Sequence, residues 1–202
     1  PADLKESYSC GPLDPLDRPF ADPDEAFAYS GNLWPVRPVD FRPALEAYYR
    51  GMSGLAARLM RLFALALDLS EDYFEPAIDR HVSGLRILNY PEQVRPPAPG
   101  QIRAGAHTDY GSLTILRQEA GRSGLQVMGP DGGWIDLPAR PETFVVNLGD
   151  LMQRWTNDRW RSTLHRVVNP PPDATGATRR QSIAFFHQPN WDAMVTCIPS
   201  CL

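Results

Sequence analysis

Lysine is almost absent from this 202-residue sequence: Lys5 is the only one among 20 basic residues, and arginine supplies the rest. With 24 acidic residues the net charge is −4, so the chain lacks the basic footprint that nucleic-acid binding requires. Cysteine is equally sparse. Cys10, Cys197 and Cys201 form an odd set, which argues against a disulfide framework and suits a reducing cytoplasm. Cys197 and Cys201 have no second cysteine pair or nearby histidine pair, so a structural zinc is not expected there. No apolar run approaches membrane length; Leu62 to Leu67 is the longest in the helical region, and no charged-then-apolar leader is present. With nucleic acid and membrane set aside, a small molecule is the expected partner; no pattern specifies an oligomeric state. Pro1 stands where an initiator methionine would, as in a trimmed or renumbered part of a longer chain.

What is present suits one domain over residues 1–202, with 43% hydrophobic and 22% charged residues. Residues 1–40 hold 7 of the 21 prolines and read as irregular. Leu45, Tyr48, Met52, Leu55, Leu59, Leu62, Ala66 and Leu69 then recur in alternating steps of three and four. They form the apolar stripe of a long amphipathic helix, with Asp40 as its cap and Pro43 in its first turn. Ser70-Glu71-Asp72 is expected to open a second helix reaching Ile78, capped by Ser70. Beyond residue 82 the period changes to two. Strands are expected at Leu85–Tyr90, His107–Arg117, Leu125–Met128, Trp134–Leu137, Thr143–Asn147, Ser162–Val168 and Gln181–His187. Turn signals separate them, including Asp131-Gly132-Gly133, Gly149-Asp150 and Pro170-Pro171-Pro172. The class is α+β, mainly β: an irregular and helical part over 1–82 covers one side of a sandwich or barrel over 83–202.

The chemistry is concentrated in Ala104 to Leu116. His107 and Asp109 are one residue apart, and in an extended segment their side chains share a face while Thr108 turns away. An imidazole and a carboxylate so placed are two thirds of the 2-His-1-carboxylate triad that holds non-haem Fe(II) with positions open. A third ligand must come from another strand. His165, in a strand-like run, and His187 both qualify, and spacing does not choose between them. Arg180 and Ser182 share a face at the start of the last strand, where a guanidinium fork and a hydroxyl can clamp a carboxylate.

The ordered set His107-x-Asp109, His165, Arg180-x-Ser182 resembles the isopenicillin N synthase-like branch of the iron(II)/2-oxoglutarate-dependent oxygenases. Leu85–Pro91, His107–Thr114, Gly124–Val127, Val146–Asp150, Trp155–Asn157 and Ser162–Val167 extend the resemblance over roughly residues 40–200. It implies a double-stranded β-helix (jelly-roll) core with the long helix packed against it. It also implies iron ligands His107, Asp109 and His165, which leaves His187 a structural role. Arg180 and Ser182 would bind the distal carboxylate of 2-oxoglutarate, with Tyr90 placed to hydrogen-bond this co-substrate. Phe186, Tyr110 and Leu113 would line the substrate pocket. The implied reaction consumes O2, converts 2-oxoglutarate to succinate and CO2, and hydroxylates, desaturates or cyclises an unactivated C–H of a small molecule. Relatives of this kind carry more chain at both ends. Isopenicillin N synthase has the same triad and Arg-x-Ser pair without using 2-oxoglutarate, so such an oxidase is an alternative. A non-catalytic jelly-roll binding module is another. The absence of a helical HExxH stands against a zinc hydrolase.

Overall fold

The computed structural model describes residues 1–14, 16–20, 22–121, 124–171 and 178–202. Pro172, in the expected proline turn, lies outside the described residues. Residues 1–40, expected to be irregular, form two elements. β1 (Glu6–Cys10) pairs antiparallel with the segment Leu85–Asn89. α1 (Pro23–Ala28) is short and capped by Asp22, whose carboxylate accepts from Glu25 N at 2.7 Å. Proline at its first position needs no N–H partner there, which is why a Pro-containing stretch supports a helix start.

α2 (Phe41–Ala66) is the expected long helix, but its buried face is shifted. The buried positions are Leu45, Tyr49, Met52, Ala56, Met60 and Ala64, continuing to Leu67 beyond the helix. A stripe with a strict seven-residue repeat drifts about 20° per heptad around a straight helix of 3.6 residues per turn. By the last turns that drift has carried Leu62 to 58% exposure and replaced it with Met60 and Ala64. Asp40 occupies the cap position without making a side-chain cap bond; Ala44 N donates instead to its carbonyl at 3.1 Å. The second helix is also shorter than expected. α3 covers only Glu75–Ile78, and Ser70 spends its hydroxyl on Asp72 rather than on a helix terminus.

The strands follow as β2 (Gly84–Tyr90), β3 (Ala104–His107), β4 (Leu113–Gln118), β5 (Leu125–Met128), β6 (Trp134–Asp136) and β7 (Val145–Leu148). A six-residue helix, α4 (Asp150–Trp155), takes the place of the simple turn expected at Gly149-Asp150. β8 (His165–Val167) and β9 (Arg180–His187) complete the set. The single strand expected over His107–Arg117 is broken: β3 ends at His107, and β4 starts at Leu113. The carbonyls of Asp109, Tyr110 and Gly111 are instead used by the first amides of α4, at 2.8 to 3.2 Å. Those amides have no partner within their own helix, so the loop and the helix satisfy one another.

Among the described residues all pairings are antiparallel, in two sheets ordered β1-β2-β9-β4-β7 and β3-β8-β5-β6. Together they form the jelly roll. The five-stranded sheet is covered on both faces. Leu113, Ile115 and Phe185 point to α2, forming the main core with Met52, Ala56 and Met60. On the other face a smaller cluster of Leu88, Tyr90 and Ala184 meets Ala104, Leu125 and Val167 of the second sheet. Burial of one such large apolar side chain contributes about 1.5–3 kcal/mol. The alternation decides function as well as stability: every second residue of β2, β4 and β9 faces the space between the sheets.

Candidate metal and carboxylate site

His107 ends β3, His165 begins β8, and the two are opposite each other across the antiparallel pair. The register shifts between Ala104 and His107, an irregularity of the kind that re-aims a side chain. The ring centroids lie 4.4 Å apart. Each Nδ1 sits on a backbone carbonyl, Gly105 O at 2.7 Å for His107 and Thr163 O at 3.0 Å for His165. Nδ1 therefore carries the proton, and Nε2 keeps its lone pair for a metal.

Both Nε2 atoms approach one oxygen, Asp109 Oδ1, at 3.9 Å from His107 and 3.8 Å from His165. The other oxygen is occupied. Asp109 Oδ2 accepts from Thr114 Oγ1 at 2.7 Å and from Asn147 Nδ2 at 2.8 Å. Thr108 turns away, as expected, and donates to Asp150 Oδ2 at 3.2 Å. The three ligand atoms all lie within 4.8 Å of one another. Two imidazoles and one carboxylate, converging from one side of a cavity, form a donor set suited to Fe(II) with open positions. Thr114 and Asn147 were not singled out from the sequence. Their signal was a lone polar residue inside an otherwise apolar strand run.

The same cavity contains Arg180, Ser182, Tyr90 and Phe186. Tyr90 is the cross-strand partner of Arg180, and Leu88 that of Ser182. Arg180 is 1% exposed, and its guanidinium carbon stands 4.9 Å from the Tyr90 ring centroid. Its Nη2 donates to neutral Gln118 Oε1 at 2.9 Å, whereas Nε and Nη1 are buried without a partner. Burial pushes its pKa down, with Tyr90 and then Glu119 acting in the opposite direction. A buried cation with two unsatisfied donors is costly unless something anionic completes it. A ligand carboxylate fits that requirement, and 2-oxoglutarate has one at its distal end. Arg103, another residue not anticipated, packs near the Tyr90 ring at 5.8 Å. Its Nη2 donates to Thr178 O and, at 3.4 Å, to Pro91 O.

Two expected pocket residues are placed elsewhere. Leu113 is fully buried on the α2 side of the sheet, because strand alternation gives the cavity Thr114 and Leu116 instead. Tyr110 is 79% exposed in the loop before β4 and does not line the cavity. His187 is also directed to the helix side, with Nδ1 2.6 Å from Ser112 Oγ. Burial, with a smaller contribution from His81, holds its pKa down at about 3.

Comparison with known proteins gives a consistent picture. Residues 82–189 match the family model described as the 2OG-Fe(II) oxygenase superfamily. The 2-oxoglutarate-Fe(II) type oxidoreductase hxnY of Emericella nidulans is 39% identical over 175 residues, covering 84% of this chain and 48% of the relative. Validamycin A dioxygenase of Streptomyces hygroscopicus subsp. limoneus is 36% identical over 187 residues, covering 91% and 50%. Among solved structures, a full-length Neurospora crassa protein in complex with alpha-KG and thymine superposes with a TM-score of 0.87 at 38% identity. That superposition covers 100% of this chain and 59% of the Neurospora chain. The chain spans about half the length of the curated relatives it matches.

Proposed function

Because this chain belongs to the 2OG-Fe(II) oxygenase superfamily, we propose that it is the catalytic core of a 2-oxoglutarate-dependent dioxygenase acting on a small molecule. Residues 1–202 are read as one oxygenase domain of the isopenicillin N synthase-like kind, part of a longer polypeptide and cytoplasmic. Three free cysteines support that compartment, and no described helix is long and apolar enough to cross a membrane. The observation that carries the reading is the convergence of two free Nε2 atoms on Asp109 Oδ1, with every non-ligating atom of the three groups already hydrogen-bonded.

His107, Asp109 and His165 would hold the iron. Arg180 and Ser182 would hold the distal carboxylate of 2-oxoglutarate, with Tyr90 beside them. Bound iron and 2-oxoglutarate supply the oxidation of a C–H bond by O2, with succinate and CO2 released. The protein's own contribution is positional. Gly105 and Thr163 carbonyls set the imidazole tautomers, and Thr114 and Asn147 leave one carboxylate oxygen directed at the metal. Gln118 keeps the Arg180 fork turned into the cavity. Phe186, the cross-strand partner of Thr114, offers substrate an apolar wall at the metal end of the cavity.

Anaerobic Fe(II) titration of the full-length protein, followed by succinate measurement with 2-oxoglutarate and O2, tests this reading. Iron binding lost in His165→Ala, and succinate formation dependent on Arg180, are the expected results. Iron binding with no succinate under any condition supports the 2-oxoglutarate-independent oxidase. No iron binding at all returns the chain to a non-catalytic module.

A further inference from the structure

Resting on that reading of the site, we infer that its substrate carries an anionic group, a carboxylate or a phosphate, recognised by Arg86 beside Phe186. Arg86 and Lys5 line the same cavity as His107, Asp109 and Arg180. On β2 the cavity face runs Arg86, Leu88, Tyr90, so Arg86 lies four residues from the Tyr90–Arg180 pair. At about 3.3 Å per residue that is roughly 13 Å along the strand, away from the end that would take the distal carboxylate. Across the sheet, Arg86 pairs with Ala184 of β9, and Ala184 pairs with Leu116 of β4. Thr114, which holds Asp109, is two residues further along that same β4 face and pairs with Phe186. Two strand spacings, about 10 Å, therefore separate Arg86 laterally from the strand that positions the metal carboxylate. A small molecule lying over Phe186 bridges that distance.

The charges make the case. Iron(II), Asp109, the two carboxylates of 2-oxoglutarate and Arg180 together cancel. Lys5 is neutralised by Asp3, at 2.8 Å. Arg86 is left over. Its Nε donates to Ser9 Oγ at 3.0 Å, its guanidinium stacks 5.4 Å from the Phe186 centroid, and no carboxylate pairs with it among the described residues. The Ser9 bond and the Phe186 ring fix the plane of the fork and leave both terminal nitrogens for a ligand. A planar fork so held matches the oxygens of a carboxylate or phosphate. The stacked ring favours an apolar or aromatic body attached to that anion.

The test uses the full-length protein loaded anaerobically with Fe(II) and saturating 2-oxoglutarate, titrated by calorimetry with benzoate, phenyl phosphate and benzamide as probes. At least one of the two anions should bind about tenfold or more tightly than neutral benzamide, and which one does so distinguishes carboxylate from phosphate recognition. Arg86→Met should erase the preference, Arg86→Lys should restore part of it, and 2-oxoglutarate affinity should stay unchanged in both. Equal binding of all three probes, or no anion binding to protein that still takes up 2-oxoglutarate, overturns the inference. Failure to take up 2-oxoglutarate is a different result, since it removes the underlying reading of the site rather than the role of Arg86.

Discussion

His107 and His165 are cross-strand partners, one at the end of β3 and the other at the start of β8, and a separation of 58 positions in sequence is collapsed to a ring separation of 4.4 Å. An antiparallel pair places opposite side chains on the same face within about 5 Å at Cβ. The strand pairing thus supplies two of the three proposed metal donors as a rigid unit. The third, Asp109, comes from the loop that follows His107, and that loop is tied down by α4 rather than by a strand.

The hold on Asp109 predicts a measurable effect at a distance from the metal. Asn147→Ala removes one of the two bonds to Oδ2 and frees the carboxylate to rotate. Fe(II) affinity should fall by about 10–100-fold, the usual consequence of losing a group that orients a ligand. Anaerobic titration beside a thermal melt measures it; unchanged affinity would show that Thr114 alone sets the carboxylate.

Arg180 should display an opposition between stability and binding. Arg180→Met replaces a buried cation having two unpartnered donors with an apolar chain of similar length. The ligand-free protein should be as stable as wild type or more so, by up to about 1–4 kcal/mol. The stabilisation that 2-oxoglutarate confers on wild type, about 2.7 kcal/mol at a hundredfold excess over Kd, should vanish. Melting curves with and without 2-oxoglutarate decide the matter, and an undiminished ligand shift in the variant refutes the carboxylate role.

Close backbone approach makes Gly149 intolerant of any side chain. A Cβ there would stand 2.1 Å from Gly111 O, within the contact that joins the Asp109 loop to α4. Gly149→Ala should cost about 3 kcal/mol or more by urea unfolding and weaken iron binding with it. Gly51→Ala is the control: nothing lies within 4 Å of its added methyl, and in the exposed interior of α2 it should stabilise by about 0.5–1 kcal/mol. Equal effects at the two positions would contradict this account.

His187 predicts the direction of the acid response. Its pKa is about 3 in the folded protein against 6.5 for an ordinary histidine, chiefly because burial excludes the charged form. Between those values the unfolded chain binds a proton that the folded one does not, so stability is full above pH 6.5 and declines as pH falls towards 3. The slope from this group approaches about 1.4 kcal/mol per pH unit. Urea midpoints from pH 7 to 4 should fall accordingly, and His187→Gln should flatten that slope; an unaltered slope assigns the acid sensitivity to other groups.

Much of the site is legible in the order of residues alone. The period change near residue 82, the ordered His107-x-Asp109 and Arg180-x-Ser182 pairs and the β-rich frame are local patterns, and local patterns survive in one dimension. Even the cap of α1 was present in Asp22-Pro23-Asp24-Glu25, although the surrounding prolines concealed it. The face buried by α2 was not readable from residue spacing, because 3.5- and 3.6-residue repeats separate only over several turns and both were populated with apolar residues. Which histidine joins His107 and Asp109 was another matter of register: His165 and His187 have similar strand contexts, and alternation sends one between the sheets and the other to the helix. Leu113 and Thr114 were separated in the same way. Asn147, Gln118 and Arg86 acquire roles only through pairing with strands distant in sequence. Residue order sets which chemical groups are available and which strands carry them. Tertiary structure alone decided which of them meet, because a side chain's face depends on register and the charge left unpaired depends on every neighbour the fold brings near.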